Sequence, residues 1–255
     1  MEPTTTVAIS RWSGGSWKLM EDVVVCEYVL TVYMNSRRLV KLHCLPEHLD
    51  ELIAGYLRVG GFISTNSDLV RLEIDSQQGT AQVYTATNAS ARPALTSGLA
   101  DGQDSSRLKV GRATFGLKPE QVLFLIKELQ RCSTLFKLTG GVHSAGLGTA
   151  QELILYRQDI GRHNAVDKII GSMLLRSIKP EDKALVLSGR ISADIVLKAA
   201  TAELPLLLSP SAPTHLAVDL ARRLGITLVG FARNTRLSIY SEAWRVKPES
   251  PARGT

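Results

Sequence analysis

The stretch ALVLSGRISADIVLKAATAELPLLLSPSAPTHLAVDLARRLGITLVGFAR, residues 184–233, decides the fold. Ala184–Leu187, Leu206–Leu208 and Thr227–Val229 are short apolar runs of strand length. Ser192–Ala200 and Thr214–Leu224 lie between them and carry apolar residues at helical spacing. Just upstream, Leu153–Tyr156 reads as a strand and Asn164–Leu175 as a helix. Short apolar strands alternating with helices predict a layered α/β sheet with helices on its faces.

The junctions of this region share a composition. They read TGGVHSAGL (139–147), DIGRHNAVDK (159–168), SGRISAD (188–194), SPSAPTH (209–215) and GFARNTR (230–236). Read as strand-to-helix turns, they converge beyond the carboxyl ends of the strands, where open α/β sheets bind ligands. Glycine lets backbone approach a ligand, and free N–H groups at a helix start attract anions. Arg162, Arg190, Arg233 and Arg236 sit in or beside these turns, and an Arg fork matches phosphate oxygens. The set points to a phosphate-bearing ligand, with His163 holding its turn or touching that ligand. Asp159, Asp167 and Asp194 read as general bases or as partners of helix starts and nearby arginines. Neither His143 nor His163 has metal-ligand spacing, and Ser144 and Ser188 lack the context of a nucleophile elbow.

Composition narrows the rest. The chain has 255 residues, enough to bury about 70–75% of its unfolded surface without disulfides or metal. Hydrophobic residues at 44% and charged residues at 21% exclude wholesale disorder. Cys26, Cys44 and Cys132 form neither an even framework nor a CxxC pair, which excludes a disulfide scaffold. No apolar run reaches the ~20 residues that span a bilayer, and the start does not read as a signal peptide, so a soluble cytoplasmic protein is expected. The net charge of +6 suits an acidic partner. Aromatic residues at 5% and dispersed Lys/Arg argue for a few phosphates rather than a nucleic acid.

In the front half, residues 1–25 read as a loose arm followed by an edge strand. Tyr28–Met34 and Leu39–Cys44 form a hairpin candidate, followed by a helix through Leu49, Leu52, Ile53, Tyr56 and Leu57 that stops at Gly60-Gly61. Leu69–Ile74 and Ala81–Thr87 are strand-like. Residues 88–114 are a long small-and-polar segment, a linker, lid or degenerate site. Lys118-Pro119-Glu120 opens an amphipathic helix to about Cys132. A boundary near 115 divides the chain into 1–115 and 116–255. Cys44 follows a strand and precedes a helix start, where a thiolate is favoured; a buried inert cysteine is the alternative.

The strings TGGVHSAGL, DIGRHNAVDKIIG, LVLSGRISADIVLKAA, SAPTHLAVDLA and GITLVGFAR, in that order, resemble the FdhD/NarQ family of formate dehydrogenase accessory proteins. EYVLTVYMN, PEHLDELIAGYL and GGFI agree as well, so the resemblance covers about residues 27–240. It implies a cytidine-deaminase-like three-layer α/β domain beside a smaller N-terminal α+β domain, usually as a homodimer. It further implies a sulfurtransferase: a sulfur carrier that takes sulfur from a cysteine desulfurase as a persulfide. The sulfur passes to the molybdenum bis(molybdopterin guanine dinucleotide) cofactor before insertion into the formate dehydrogenase catalytic subunit. The family's cofactor-binding stretch maps onto Phe231, Ala232, Arg233, Asn234, Thr235 and Arg236. Its CGxCG-like loop falls on TSGLADG (96–102), with Gly98 and Asp101 at the two cysteine positions, and neither residue forms a persulfide. Cys44 is then the first candidate carrier, with a cofactor-binding chaperone as the alternative role. Deamination is excluded, because His143-Ser144-Ala145 lacks the glutamate and no CxxC exists.

Overall fold

The structure, a computed structural model, describes residues 2–86, 110 and 115–247. Strands β1 (Thr4–Ser13) and β2 (Ser16–Val25) form one antiparallel hairpin, with Thr4 opposite Val25 and Trp12 opposite Trp17. This corrects the loose arm expected over residues 1–25. Gly14 and Gly15 make the turn at φ of 60° and 86°, the positive angles that match a two-residue turn to the strands' twist.

A four-stranded sheet follows, built from β3 (Tyr28–Met34), β4 (Arg37–Cys44), β5 (Leu69–Asp75) and β6 (Thr80–Thr85) in the order β4-β3-β6-β5. Helix α1 (Leu49–Val59) covers one face. Leu52, Ile53 and Leu57 pack against Leu30, Val32, Ala81 and Val83, the alternate residues of β3 and β6.

The second half holds α2 (Pro119–Cys132), α3 (Thr134–Thr139), β7 (His143–Gly148), β8 (Leu153–Asp159), α4 (Arg162–Leu175), β9 (Ala184–Leu187), α5 (Ala193–Thr201), β10 (Leu206–Leu208), α6 (His215–Leu224), β11 (Thr227–Arg233) and β12 (Arg236–Ser241). Its sheet has the order β12-β11-β10-β9-β7-β8. Strands β9, β10 and β11 are mutually parallel, and β7 and β12 run antiparallel to their neighbours. Leu185, Leu187, Leu207 and Leu228 face α4, α5 and α6, while Ala184, Val186, Leu206, Leu208 and Val229 face α2. That period-2 split of all-apolar strands is what three layers require, and the α/β expectation holds. Two junctions are different from those expected. TGGVHSAGL leads from α3 into β7, and GFARNTR is the end of β11 and a hairpin turn into β12.

The two sheets are joined by α1 and α4, which cross in backbone contact. A Cβ on Gly55 would lie 1.9 Å from the Asp167 carbonyl oxygen, and one on Gly171 would lie 1.8 Å from that of Glu51. Beside this crossing the buried Glu51 carboxylate receives the Arg157 guanidinium in a two-pronged contact and Arg176 at 3.2 Å.

Candidate functional site

Strands β8 to β11 share one direction, so their carboxyl ends at Asp159, Leu187, Leu208 and Arg233 lie on one rim. Strands β7 and β12 run the other way and begin there, at His143 and Arg236. The glycine-bearing segments therefore gather at one edge, although two are not strand-to-helix turns. Hydrogen bonds tie them together. Ser209 Oγ donates to Gly189 O at 2.7 Å, Ile191 N to Ala212 O at 3.1 Å, and Phe231 N to Ser211 O at 3.0 Å. A Cβ at Gly189 would stand 3.2 Å from His143 Nδ1 and 3.7 Å from Arg162 Cδ. The starts of β7 and α4 and the end of β9 thus meet at a single point.

Helices α4 and α5 present their N-termini to this rim without side-chain caps. Ser192, at the start of α5, keeps a buried Oγ with no hydrogen-bond partner, as do Arg162 Nε and His163 Nε2. Helix α6, by contrast, is capped by Thr214, whose side chain accepts from Ala217 N at 3.3 Å. Unspent first-turn N–H groups beside the unpaired Arg162 Nε and Ser192 Oγ are of the kind that can receive an anion. The cations of the rim show in the histidines. Burial, Arg162 and Arg190 lower the His143 pKa, while burial, Arg162 and Lys198 push His163 down to about 4.

A neutral His163 ties stability to pH. Its folded pKa lies below the ordinary value of 6.5, so the unfolded state binds the proton more tightly. Its contribution is whole above pH 6.5 and is lost as pH falls toward 4, with His143 acting in the same direction. Chemical denaturation between pH 7 and 4.5 should show this loss, and His163→Gln should make the profile flatter.

The base of the turn is held by Asp159, expected as a general base or a helix-start carboxylate and found in the second role, and by Lys168 and Asn164, which the sequence reading did not assign. Asp159, fully buried, accepts from Gly161 N at 3.1 Å, Asn164 Nδ2 at 2.9 Å and Leu45 N at 3.1 Å. The equally buried Lys168 lies 2.7 Å from it. Asn164 Nδ2 also donates to His43 O at 2.7 Å, fastening β4 to the rim. Asn164, rather than His163, pins the turn; its place three residues after Gly161 was the available signal. Asn164→Ala should cost about 2 kcal/mol in urea unfolding, the scale of a hydrogen bond to a charged group.

At the other flank Arg233, Asn234, Thr235 and Arg236 are exposed, and Arg233 pairs directly across the hairpin with Arg236. Like charges placed opposite each other repel, and an anion between them would relieve that. Phe231 (φ 50°) and Asn234 (φ 54°) take left-handed backbone here. Ala232 is fully buried and its N–H donates to Ser209 O at 3.0 Å, so it shapes the turn from beneath.

Of the two environments open to Cys44, the structure has the buried one rather than a thiolate at a helix start. Helix α1 starts five residues later, at Leu49, and Cys44 is fully buried as the last residue of β4. Burial, then the Asp159 charge, raises its pKa to about 12. The thiol is protonated at neutral pH, whereas Cys26 and Cys132 are half-buried. The segment 96–102 with Gly98 and Asp101 lies outside the described residues. Among the described residues no cluster of three or more His, Cys, Asp or Glu could hold a metal ion, and no helix is long and apolar enough to cross a membrane. A cavity of about 300 Å³ bounded by Arg58, Met173, Leu174 and Ile178 lies at the carboxyl end of α4, a helix length from the rim.

Three comparisons bear on this geometry. The sequence profile of the FdhD/NarQ family matches residues 25–247. The sulfur carrier protein FdhD of Bacillus subtilis (strain 168) is 36% identical, over 93% of this chain and 95% of its own length. That of Listeria innocua serovar 6a is also 36% identical, over 96% and 100%. The crystal structure of a protein from Desulfotalea psychrophila, described as a formate dehydrogenase accessory protein, superposes with a TM-score of 0.82 at 28% identity. The match covers 96% of this chain and 100% of that one.

Proposed function

This chain belongs to the FdhD/NarQ family, and from that membership we propose that it is a formate dehydrogenase accessory protein acting as a sulfur carrier. The observation that carries the reading is identity of 36% with sulfur carrier proteins across nearly their whole length. In this role it takes sulfur from a cysteine desulfurase as a persulfide. It passes that sulfur to the molybdenum bis(molybdopterin guanine dinucleotide) cofactor, its cargo, before the formate dehydrogenase catalytic subunit receives it. The protein works in the cytoplasm as a homodimer, with residues 1–115 and 116–255 as its two parts.

The cargo's pyrophosphates fit the rim. Arg162, His163 and Arg190, with the uncapped starts of α4 and α5, take one phosphate group. Phe231, Ala232, Arg233, Asn234, Thr235 and Arg236 form and present the second contact. Strands β9 and β11 are two places apart in the sheet, about 10 Å, so an extended dinucleotide reaches both positions where a lone phosphate does not.

Sulfur loading needs a thiolate. It attacks the outer sulfur of the donor's persulfide, a new S–S bond forms, and the donor thiolate leaves; no external oxidant enters. With Gly98 and Asp101 at the family's cysteine positions, the thiols present are Cys26, Cys44 and Cys132. Incubation with a cysteine desulfurase and cysteine, read by intact mass, should add sulfur to the wild type. One of Cys26→Ala, Cys44→Ala and Cys132→Ala should abolish it, and unchanged loading of Cys44→Ala would remove that residue. A wild type that takes up no sulfur would overturn the carrier role and leave cofactor binding alone.

A further inference from the structure

We propose that the β1–β2 hairpin is a dimerisation arm that packs against the same hairpin of a second copy of this chain. The hairpin is a ribbon of ten-residue strands, about 34 Å long. No residue from Thr4 to Val25 is buried. Among the described residues its base alone is anchored, where Val25 packs with Leu135, Val142 and Ile160.

Both faces of the ribbon carry apolar residues, and the face with Trp12, Trp17 and Leu19 has a single charge, Glu21, against Arg11, Lys18 and Asp22 on the other. The register places Trp12, Trp17, Leu19 and Ala8 on one face, and Val7, Ile9, Met20 and Val24 on the other. Leu19 is 87% exposed, Trp17 69% and Trp12 56%. A two-stranded ribbon alone is marginally stable in water, and its edges offer unpaired N–H and C=O groups. Apolar surface of this extent marks a contact site.

Two observations select a second copy as the occupant. The 20 strand residues fall within the roughly 20–30 a side used by a standard stable interface. Residues 4–25 carry two basic residues (Arg11, Lys18) and two acidic ones (Glu21, Asp22), within a chain of +6. The arm is therefore neutral, so two arms meet without repulsion and an acidic or basic partner finds no net charge to read. A two-fold axis lets identical patches cover each other.

The inference takes the homodimer of the proposed function and assigns its surface. Full-length wild type and Trp17→Ser/Leu19→Ser should be compared by sedimentation equilibrium at micromolar concentration. The wild type should be dimeric and the variant should self-associate about 100-fold or more weakly, as loss of two large exposed anchors implies. Circular dichroism should be unchanged, since neither residue touches a core, and melting should change only by what the lost dimer contributes. In a Trp244→Phe background with an intact hairpin, Trp12 and Trp17 emission should move to longer wavelength on dilution. A wild type that stays monomeric would overturn both the homodimer and the arm. Equal dimerisation of wild type and variant, or emission indifferent to dilution, would overturn the arm while leaving the homodimer standing. Neither result touches sulfur loading or nucleotide binding, which are read separately.

Discussion

Gly171→Ala is expected to destabilise the protein by about 4 kcal/mol or more, at the far end of what single substitutions do. The new methyl would lie 1.8 Å from the Glu51 carbonyl oxygen, where ordinary contact begins at 3.4 Å. Both atoms belong to helix backbones or are bonded to them, so no side chain can swing aside. Helices α1 and α4 would have to part by more than an ångström, opening the packing between the two sheets and the Glu51–Arg157 contact. Helix propensity alone has the opposite sign, because alanine is favoured over glycine by about 1 kcal/mol in an open helix. A calorimetric melting temperature decides: a fall of roughly 10 °C is expected for a chain of this size, with Gly55→Ala behaving alike. A rise would mean that the helices do not cross in backbone contact.

The Arg233→Ala/Arg236→Ala double variant should lose about 100-fold or more in affinity for GDP, which resembles part of the proposed cargo. Each well-made charge-assisted contact to phosphate contributes about 1.5–3 kcal/mol, and 1.4 kcal/mol is tenfold in affinity. Wild-type binding should also weaken with added salt. Stability should move the other way or not at all, since the hairpin register sets the two like-charged residues opposite each other. Loss of binding with an unchanged or higher melting temperature is thus the expected pair of results, by calorimetric titration and thermal melting. Equal GDP affinity in the two proteins would mean that the rim is not the cofactor site.

Much of this architecture is legible in the sequence because its local signals are strong. The strands Ala184–Leu187 and Leu206–Leu208 and the helix Pro119–Cys132 lie where apolar runs, helical spacing and the Lys-Pro-Glu start place them. A strand buried on both faces has to be apolar throughout, and a helix lying on a sheet has to be amphipathic. The arginines and glycines of the rim are legible too, since phosphate chemistry restricts which residue types serve.

Tertiary structure alone decided the rest. Strand β7, His143–Gly148, has little β-branched character, because Leu125 and Leu129 of α2 press on Gly146 and Gly148. The β1–β2 hairpin carries apolar residues on both faces, so the alternation that marks a half-buried strand is blurred, though Gly14-Gly15 was the turn signal. Cys44 reads from its neighbours either as a thiolate before a helix or as a buried inert cysteine, and the Asp159–Lys168 pair and the sheet that enclose it decide for the second. Asn164 looks like one polar residue among several until the fold brings His43 O and Asp159 within reach of its amide. Local sequence therefore determined most of the buried strands and amphipathic helices, and the glycines and arginines that stand at the strand ends. Which cysteine is shielded, which amide pins the turn and which surface is left bare depend on contacts between distant segments, and those exist only once the layers have packed.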